Sequence, residues 1–337
     1  MNDTRDAGLV VVTGANGFIG RHLCQSLAHK GVRVRGITRS KTGIPIGGVE
    51  TAIARDLHDR DAIRAAMTGV GTVIHLAARV HANAEGRDDA ASECRRINVD
   101  GTALLLEEAV AAGASGFVFI SSVKAVAGES EKMLTADTPP LPVDAYGESK
   151  LEGERLVKFV ATREGLHAPI LRLPNVYGPA MKANMITLFK VIDKGIPLPL
   201  GSVNNRRSFA YIANAVGAIE ALITSPQAAH ETVYVSDEED VSTPELVRSI
   251  ARALRKPARL VPMPAGLLLR LAGNRGLLSR FQPFHLKGDS LTAVLGSLYV
   301  DTSRLRETTG FVPPTSLEMG MLRTAEWYKT RSQATGS

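Results

Sequence analysis

Short apolar runs rich in Val and Ile alternate with stretches of helical periodicity through the first half of the chain. The runs are typical of buried strands, and the regular spacing of apolar residues between them predicts helices. The predicted strands are Leu9–Thr13, Val32–Thr38, Val49–Ala54, Thr72–Ala77, Phe117–Ser121 and Pro169–Leu173. The predicted helices include Asp59–Met67, Ala90–Ala112 and Tyr146–Glu164, after a first helix that ends at Gly31. This alternation predicts the α/β class, with a doubly wound parallel sheet covered by helices on both faces.

The pattern changes beyond about residue 177, where Pro- and Gly-rich segments and shorter helices follow. One helix is predicted over Thr243–Arg255, with Thr243 as its N-cap and Pro244 at its first position. Phe209–Ile212 and Val233–Val235 are predicted to be strands that return to the main sheet. We therefore predict a main domain, a smaller interleaved C-terminal lobe and a frayed tail. The main domain comprises residues 1–175 with 208–235, the lobe 176–207 and 236–330, and the tail 331–337.

Composition and charge narrow the class of protein. The 337 residues, 44% of them hydrophobic, suffice for one large domain or two intimate ones with a sizeable core. The formal net charge of +6 fits an anionic small-molecule ligand better than nucleic acid. No apolar run reaches the ~18 residues of a membrane-spanning helix, and the polar N-terminus does not resemble a signal peptide. Cys24 and Cys94 lie in separate helical patterns, so no disulfide is expected and a reducing, cytoplasmic location is favoured.

Three glycines at intervals of three connect the first strand to the first helix. Gly14 permits a tight turn, Gly17 lets the backbone approach a pyrophosphate, and Gly20 lets the helix pack closely on the strand. Phe18 and Ile19 begin the helix, whose free amides and partial positive charge attract an anion. Because this turn opens an α/β repeat, the five residues are predicted to bind a dinucleotide.

The end of the second strand bears on which dinucleotide is bound. It contains Thr38 and Arg39 but no carboxylate that would bind a ribose 2′-hydroxyl. Arg39 can pair with a 2′-phosphate, which favours NADP over NAD, although a solvated loop arginine would look the same in the sequence. Asp56 and Leu57 follow the third strand and are predicted to meet the adenine, although a surface turn would also accommodate an aspartate there.

A tyrosine and a lysine lie four residues apart where a long helix begins. At this spacing Tyr146 and Lys150 project from one helical face. The ammonium group and an oxidised nicotinamide would both favour the phenolate, so we expect a lowered Tyr146 pKa and a role as general acid or base. Ser122, at the carboxyl end of a strand, is predicted to bind the same reacting oxygen, although serines there are also common turn formers.

The motifs TGANGFIG, FISS, YGESK and LRLPNVYGP together resemble the extended short-chain dehydrogenase/reductase family, in its nucleotide-sugar epimerase/dehydratase branch. The resemblance covers nearly the whole chain and implies a Rossmann domain with a catalytic set matched here by Ser122, Tyr146 and Lys150. It implies that Asn98 supports the backbone of the active site. Further coenzyme contacts that it implies are Ala77, Ala78 and Pro174.

The resemblance also implies contacts with a UDP-sugar. Asn175 and Arg207 match residues that bind the diphosphate, and Asn184 and Met185 match positions near the nucleotide. The stretch Ser208–Tyr211 departs from the acidic-residue form that is usual after this arginine. A second basic residue is expected between 281 and 300, where Lys287 is the candidate.

Three reactions are compatible with this resemblance: 4,6-dehydration, 4-epimerisation and 4-keto reduction. Dehydratases of the branch carry an Asp-Glu pair where this chain has Val123 and Lys124, which argues against dehydration. The sequence favours a reductase of a UDP-4-keto-6-deoxy-N-acetylhexosamine in bacterial surface polysaccharide synthesis. The alternative is a UDP-glucose or UDP-N-acetylglucosamine 4-epimerase with tightly bound NAD, and a remote one is a non-catalytic dinucleotide sensor.

The resemblance further implies a homodimer formed through paired helices, including Ala90–Ala112 and Tyr146–Glu164. No metal is expected, because the histidines lack the spacing of metal ligands. His75 lies in a predicted buried strand and is expected to be a hydrogen-bonded core residue.

Overall fold

The computed structural model describes residues 8–39, 44, 46–80, 87–181, 184–273 and 294–334. Seven parallel strands form the main sheet, and two more form a small separate sheet. The strands are β1 (Leu9–Thr13), β2 (Val34–Thr38), β3 (Val49–Ile53), β4 (Val70–His75), β5 (Gly116–Ser122), β6 (Ile170–Leu173), β7 (Asn175–Tyr177), β8 (Phe209–Tyr211) and β9 (Thr232–Tyr234).

Helices cover both faces of the main sheet. They are α1 (Phe18–His29), α2 (Arg60–Met67), α3 (Arg87–Arg95), α4 (Gly101–Ala111), α5 (Ala145–Glu164), α6 (Asn184–Asp193), α7 (Ile212–Thr224), α8 (Thr243–Leu254), α9 (Ala265–Gly273), α10 (Ser303–Thr309) and α11 (Leu317–Ala334). Among the helices of the described ranges, none combines the length and apolarity needed to cross a bilayer.

The order of the main sheet is β3-β2-β1-β4-β5-β6-β9, and every pairing is parallel. The chain moves outward from β1 to β3 and then returns to place β4 on the other side of β1. The turns that follow β1 and β4 lie at this reversal, and sheets of this kind bind ligands in a crevice at the carboxyl ends of such strands. The predicted doubly wound fold is therefore confirmed, with strand ends within two residues of those expected.

Two details of the predicted helices are wrong. The single helix Ala90–Ala112 is interrupted by a π-helical turn at Arg96–Asp100, which separates α3 from α4. The N-cap of α8 is Ser242 rather than Thr243, because the Ser242 hydroxyl accepts from the Glu245 amide and the Glu245 carboxylate accepts from the Ser242 amide. This reciprocal capping box satisfies two amides at the start of the helix.

The second half of the chain returns to the main sheet by one strand rather than two. β9 pairs with β6 as predicted, whereas β8 pairs with β7 in the small sheet, so the predicted return of Phe209–Ile212 is wrong. The division into a main domain and an interleaved lobe stays a prediction.

The hydrophobic core lies on both sides of the sheet. One cluster packs β1, β4 and β5 against α2, α4 and α5. The other cluster packs the opposite face of the sheet against α1, α7, α8 and the segment that contains Leu198 and Leu200. Because this second cluster spans both halves of the chain, the C-terminal segments are anchored directly on the sheet beside the crevice.

Candidate active site

The glycine turn after β1 packs closely against its neighbours in the chain. Gly14 has a φ of +67°, and a Cβ there would lie 2.9 Å from the amide nitrogen of Ala77. A Cβ on Gly20 would overlap the carbonyl oxygen of Gly14, so α1 packs on the turn only because this residue is glycine. Gly17 is the N-cap of α1 and makes no side-chain cap. Phe18 and Ile19 begin α1 as predicted, and binding of a pyrophosphate by this turn stays a prediction.

A buried chain of hydrogen bonds connects this turn with the π-helical turn. The Thr13 hydroxyl accepts from the amides of Leu76 and Ala77, and its oxygen lies 2.7 Å from His75 Nδ1. His75 Nε2 lies 3.0 Å from the Thr102 hydroxyl, which donates to the carbonyl oxygen of Asn98 at 2.7 Å.

This geometry assigns the tautomer of His75. The Thr102 hydroxyl donates its only proton to the carbonyl oxygen of Asn98. His75 Nε2 must therefore donate to Thr102, and Nδ1 must accept from Thr13. Burial lowers the pKa of His75 to about 3, which keeps the ring neutral. The prediction of a hydrogen-bonded core histidine is confirmed, and the two threonines that fix it were not anticipated.

Asn98 ties the loop after β4 to the start of α5. Its side-chain oxygen accepts from the Arg79 amide at 2.7 Å, and its nitrogen donates to the Arg79 carbonyl and to Ser149 Oγ at 3.1 and 2.8 Å. Ser149 in turn donates to the carbonyl oxygen of Tyr146 at 2.8 Å. Asn98 therefore supports the backbone that carries Tyr146, as the resemblance implies.

Ser122 and Tyr146 meet through a hydrogen bond between their side chains. Ser122 ends β5 and begins a 3₁₀ turn, and Tyr146 lies in the first turn of α5, which Asp144 caps by accepting from the Gly147 amide at 2.7 Å. Lys124 in the 3₁₀ turn donates to Asp144 at 2.6 Å. This ion pair links the segments that carry the two hydroxyls.

Tyr146 is held in its neutral form. Burial raises its pKa to about 12, the hydrogen bond to Ser122 opposes that shift, and Asp144 and Cys94 add to it. The expected lowering of this pKa is therefore wrong for the protein alone, because desolvation of the phenolate outweighs the hydrogen bond. A lowered pKa stays a prediction for the complex with an oxidised nicotinamide.

Lys150 is buried, with 2% of its surface exposed, and its Nζ lies 4.1 Å from the centroid of the Phe119 ring. Burial lowers the pKa of Lys150 to about 7, against the opposing field of Glu154 one helical turn away. Glu154 binds Arg172 of β6 at 2.7 Å and accepts a hydrogen bond from Ser121. A buried polar network thus lies directly behind the predicted catalytic lysine.

The end of β2 carries the residues predicted to select the coenzyme. Arg39 is exposed, and Thr38 is buried and accepts from Asn16 Nδ2 at 2.5 Å. Beyond β3, Asp56 accepts from Arg96 at 2.8 Å, and its hydrogen bonds to His58 and Arg96 lower its pKa. The contacts of these residues with a coenzyme stay predictions.

The remaining predicted contacts differ in how exposed they are. Pro174 is buried, Asn175 is exposed at the start of β7, and Leu57, Ala77, Ala78 and Met185 are half-buried. Asn184 begins α6, but its side chain lies outside the described part of the chain, as does Lys287. Ligand contacts of these residues stay predictions.

Arg207 is buried, and it donates through one guanidinium nitrogen to the carbonyl oxygen of Gly296 at 2.9 Å. Burial lowers its pKa to about 10, so the side chain keeps its charge at neutral pH. Ser208 donates to Asp240 at 2.5 Å, and Asp240 also pairs with Arg206. Asp240 was missed because it is 32 residues away in the sequence, although its acidic neighbourhood was a visible signal.

Within the described ranges, no three His, Cys, Asp or Glu side chains are grouped so that they could bind a metal ion. Cys24 and Cys94 are both buried and unbridged, so the prediction that they form no disulfide is confirmed.

The chain is similar in sequence and in fold to several known proteins. The model of the NAD dependent epimerase/dehydratase family matches residues 10–235. A UDP-glucose 4-epimerase of Vibrio cholerae is 33% identical over 328 residues, covering 94% of this chain and 94% of the relative. The N-acetyl-alpha-D-glucosaminyl-diphospho-ditrans,octacis-undecaprenol 4-epimerase of Escherichia coli O157:H7 is 26% identical, covering 97% and 96% of the two chains. The structure of MoeE5 in complex with UDP-glucose and NAD has 26% sequence identity and a TM-score of 0.74, covering 97% of this chain and 100% of that chain.

Proposed function

The chain belongs to the NAD dependent epimerase/dehydratase family, and we propose that it interconverts a hydroxyl and a ketone at C4 of a UDP-linked hexose. The observation that carries this proposal is the contact between the side chains of Ser122 and Tyr146, with Lys150 buried one helical turn further along α5. A phenol that can exchange a proton and a second hydroxyl that can bind the same oxygen suit the oxidation of an alcohol and its reversal.

The glycine turn, the free amides of α1 and the neighbouring Ala77 would hold the pyrophosphate of NAD or NADP. The nicotinamide supplies the hydride chemistry when it is bound. The protein's part is to orient the sugar and to move one proton.

In the proposed reaction Tyr146 exchanges the proton of the C4 oxygen through its phenolic oxygen. Ser122 hydrogen-bonds the same oxygen, and its contact with Tyr146 sets the distance between the two hydroxyls. Lys150 lies one helical turn along α5, where its charge would favour the phenolate. Asn98 donates to Ser149, and Ser149 donates to the carbonyl oxygen of Tyr146. These bonds hold the backbone of Tyr146, so the phenol keeps its orientation.

The first candidate for the net reaction is 4-epimerisation. Two relatives that align along almost their whole length are 4-epimerases, and one of them is 33% identical. This support reverses the order that the sequence alone favours. An epimerase would use this proton exchange once in each direction, with hydride returned to the opposite face of the C4 ketone, so that the coenzyme ends unchanged.

The second candidate is reduction of a UDP-4-keto-6-deoxy-N-acetylhexosamine, and the end of β2 favours it. Arg39 is exposed there and no carboxylate follows β2 up to that residue, which suits NADP as a dissociable reductant. If Arg39 binds the 2′-phosphate, Arg39→Asp lowers the affinity for NADP at least tenfold and leaves that for NAD nearly unchanged. Equal effects on both coenzymes would remove Arg39 from coenzyme selection.

One experiment separates the two candidates. Purified protein is incubated with UDP-4-keto-6-deoxy-N-acetylglucosamine plus NADPH or NADH, and separately with UDP-glucose or UDP-N-acetylglucosamine without added reductant. Formation of the 4-epimer without net oxidation of coenzyme identifies the epimerase. Oxidation of one coenzyme per keto sugar identifies the reductase. The absence of both reactions contradicts the proposal.

A homodimer through α4 and α5 is part of the proposal. Phe159 on α5 has 62% of its surface exposed and is available for an apolar contact with a partner. Phe159→Asp should convert a dimer into a monomer in size-exclusion chromatography, whereas Val312→Asp, on another exposed apolar side chain, should not. We also propose that the protein acts in the cytoplasm, in the synthesis of a surface polysaccharide.

A further inference from the structure

The ammonium group of Lys150 is buried against an aromatic ring. Its Nζ lies 4.1 Å from the centroid of the Phe119 ring, within the range of about 6 Å over which a ring face attracts a cation. Phe119 has no exposed surface, and Lys150 has 2% exposed, so water screens this contact little. A buried ring face is therefore a close source of stabilisation for the charge on Lys150.

Helix α5 has a slot that admits this ring. Gly153 lies three residues after Lys150, on the side of α5 that faces β5. A Cβ on Gly153 would lie 2.8 Å from Cζ of Phe119 and 3.4 Å from the carbonyl oxygen of Asn98. Any larger residue at position 153 would displace the ring or the helix, so the missing side chain lets the ring lie beneath the lysine.

We propose that Phe119 is a positioning residue that favours the charged form of Lys150 and holds its ammonium in place, and that Gly153 holds open the slot for its ring. The inference rests on the proposed function for the role of Lys150, because only a charged lysine favours the phenolate of Tyr146. It adds to that site a residue from the middle of β5, behind the strand end that carries Ser122.

Other titratable groups near Lys150 do not replace the ring. Glu154, on the same helix, favours the charge, but it is paired with Arg172 of β6, whose own charge opposes that effect. His75 on β4 is neutral, with its pKa lowered by burial and by Lys150 itself. Tyr146, on the same helix, is protonated in the protein alone. The direct contact with the Lys150 ammonium comes instead from the Phe119 ring, which does not titrate.

The chain contains a matched control in Phe117. It lies two residues earlier on the same face of β5, is as fully buried as Phe119, and packs on His75 with ring centroids 6.0 Å apart. Replacing either ring with leucine removes a similar volume from the same core cluster. A difference between Phe119→Leu and Phe117→Leu therefore reports on the contact with Lys150.

The test is a direct titration of Lys150 by NMR. Full-length protein labelled with 15N-lysine is titrated with pH, and the signal of Lys150 Nζ is identified by its loss in Lys150→Met. We expect the titration midpoint of Lys150 to fall by about one pH unit in Phe119→Leu and by less than about 0.3 in Phe117→Leu. Gly153→Ala should lower the midpoint in the same direction as Phe119→Leu.

Equal midpoints in Phe119→Leu and Phe117→Leu, or a Gly153→Ala midpoint that matches the wild type, would overturn the inference. If Phe119→Leu does not fold, as judged by its thermal transition, Gly153→Ala decides the question. The titration needs no sugar substrate, so its result is separate from the proposed function. The expected shift in a protein that converts no UDP-sugar would contradict the function alone.

Discussion

The backbone of Gly147 lies directly against the carbonyl oxygen of Lys124, so closely that a Cβ on Gly147 would overlap that oxygen. This contact joins the first turn of α5 to the 3₁₀ turn after β5. Because Ser122 and Tyr146 flank the contact, it holds together the two segments that carry their hydroxyl groups. The glycine of the Tyr-Gly-Glu-Ser-Lys motif is thus explained by packing at the site rather than by a special backbone angle.

Gly147→Ala should separate the two catalytic hydroxyls. The added methyl group must push the 3₁₀ turn away from α5, because the atom it meets belongs to the backbone and cannot rotate aside. We expect turnover to fall at least tenfold while the affinity for coenzyme, measured by fluorescence titration, changes little. Gly47→Ala is the control, since a Cβ there meets open space. Similar losses in both variants would contradict this account.

The two adjacent serines at the end of β5 should have different roles. Ser122→Ala removes the hydroxyl that bonds Tyr146, so turnover should fall about 10²-fold with little change in stability. Ser121→Ala removes a buried donor to Glu154, so the free energy of unfolding should fall by about 1–3 kcal/mol with turnover retained. Steady-state kinetics and urea unfolding of both variants check this contrast. If Ser121→Ala lost more activity than Ser122→Ala, the assignment would be reversed.

His75 should make the protein sensitive to acid. Its pKa is lowered from 6.5 to about 3 on folding. Between these two pH values His75 is protonated in the unfolded chain but neutral in the native protein. Stability is therefore lost as pH falls, by up to about 1.4 kcal/mol per pH unit from this residue. Urea unfolding at pH 7 and pH 5 should show a smaller acid loss in His75→Gln than in the wild type. Identical losses would mean that His75 does not contribute.

Lys150→Met should abolish activity yet stabilise the protein below neutral pH. The pKa of Lys150 is lowered from 10.5 to about 7 on folding, so below pH 7 the native protein bears the full cost of a buried charge. Between pH 7 and 10.5 this cost disappears progressively, because the native lysine is neutral there and the unfolded chain gradually loses its proton too. The melting temperature of the variant should exceed that of the wild type by a few degrees at pH 6 and by much less at pH 9. A gain that is larger at pH 9 than at pH 6 would contradict the burial of a charged lysine.

Local patterns predicted the parts of the site that are contiguous in sequence. The glycine turn, the serine at the end of β5 and the Tyr–Lys pair each lie within one short segment, and each has the expected secondary structure. The parallel, doubly wound sheet followed from the alternation of strands and helices, because parallel strands need crossover connections. The error at β8 has a physical reason: three apolar residues indicate a strand but do not specify its neighbour.

The contacts that tune these residues could not be predicted, because they join positions far apart along the chain. Thr102 is 27 residues from His75, and Asp240 is 32 from Ser208. The slot at Gly153 depends on which face of α5 meets β5, which apolar spacing does not determine for a helix buried on several sides. The raised pKa of Tyr146 arises from desolvation, which depends on the packed surroundings.

The central claim is that Tyr146 exchanges the proton at C4 of a UDP-linked sugar. Its most direct test is a comparison of wild type and Tyr146→Phe, with each candidate substrate and its coenzyme, by product NMR together with coenzyme titration. We predict that Tyr146→Phe binds coenzyme normally and folds, but turns over at least a hundredfold more slowly, because the phenylalanine keeps the ring and removes only the hydroxyl. Near-normal turnover by Tyr146→Phe would contradict the claim.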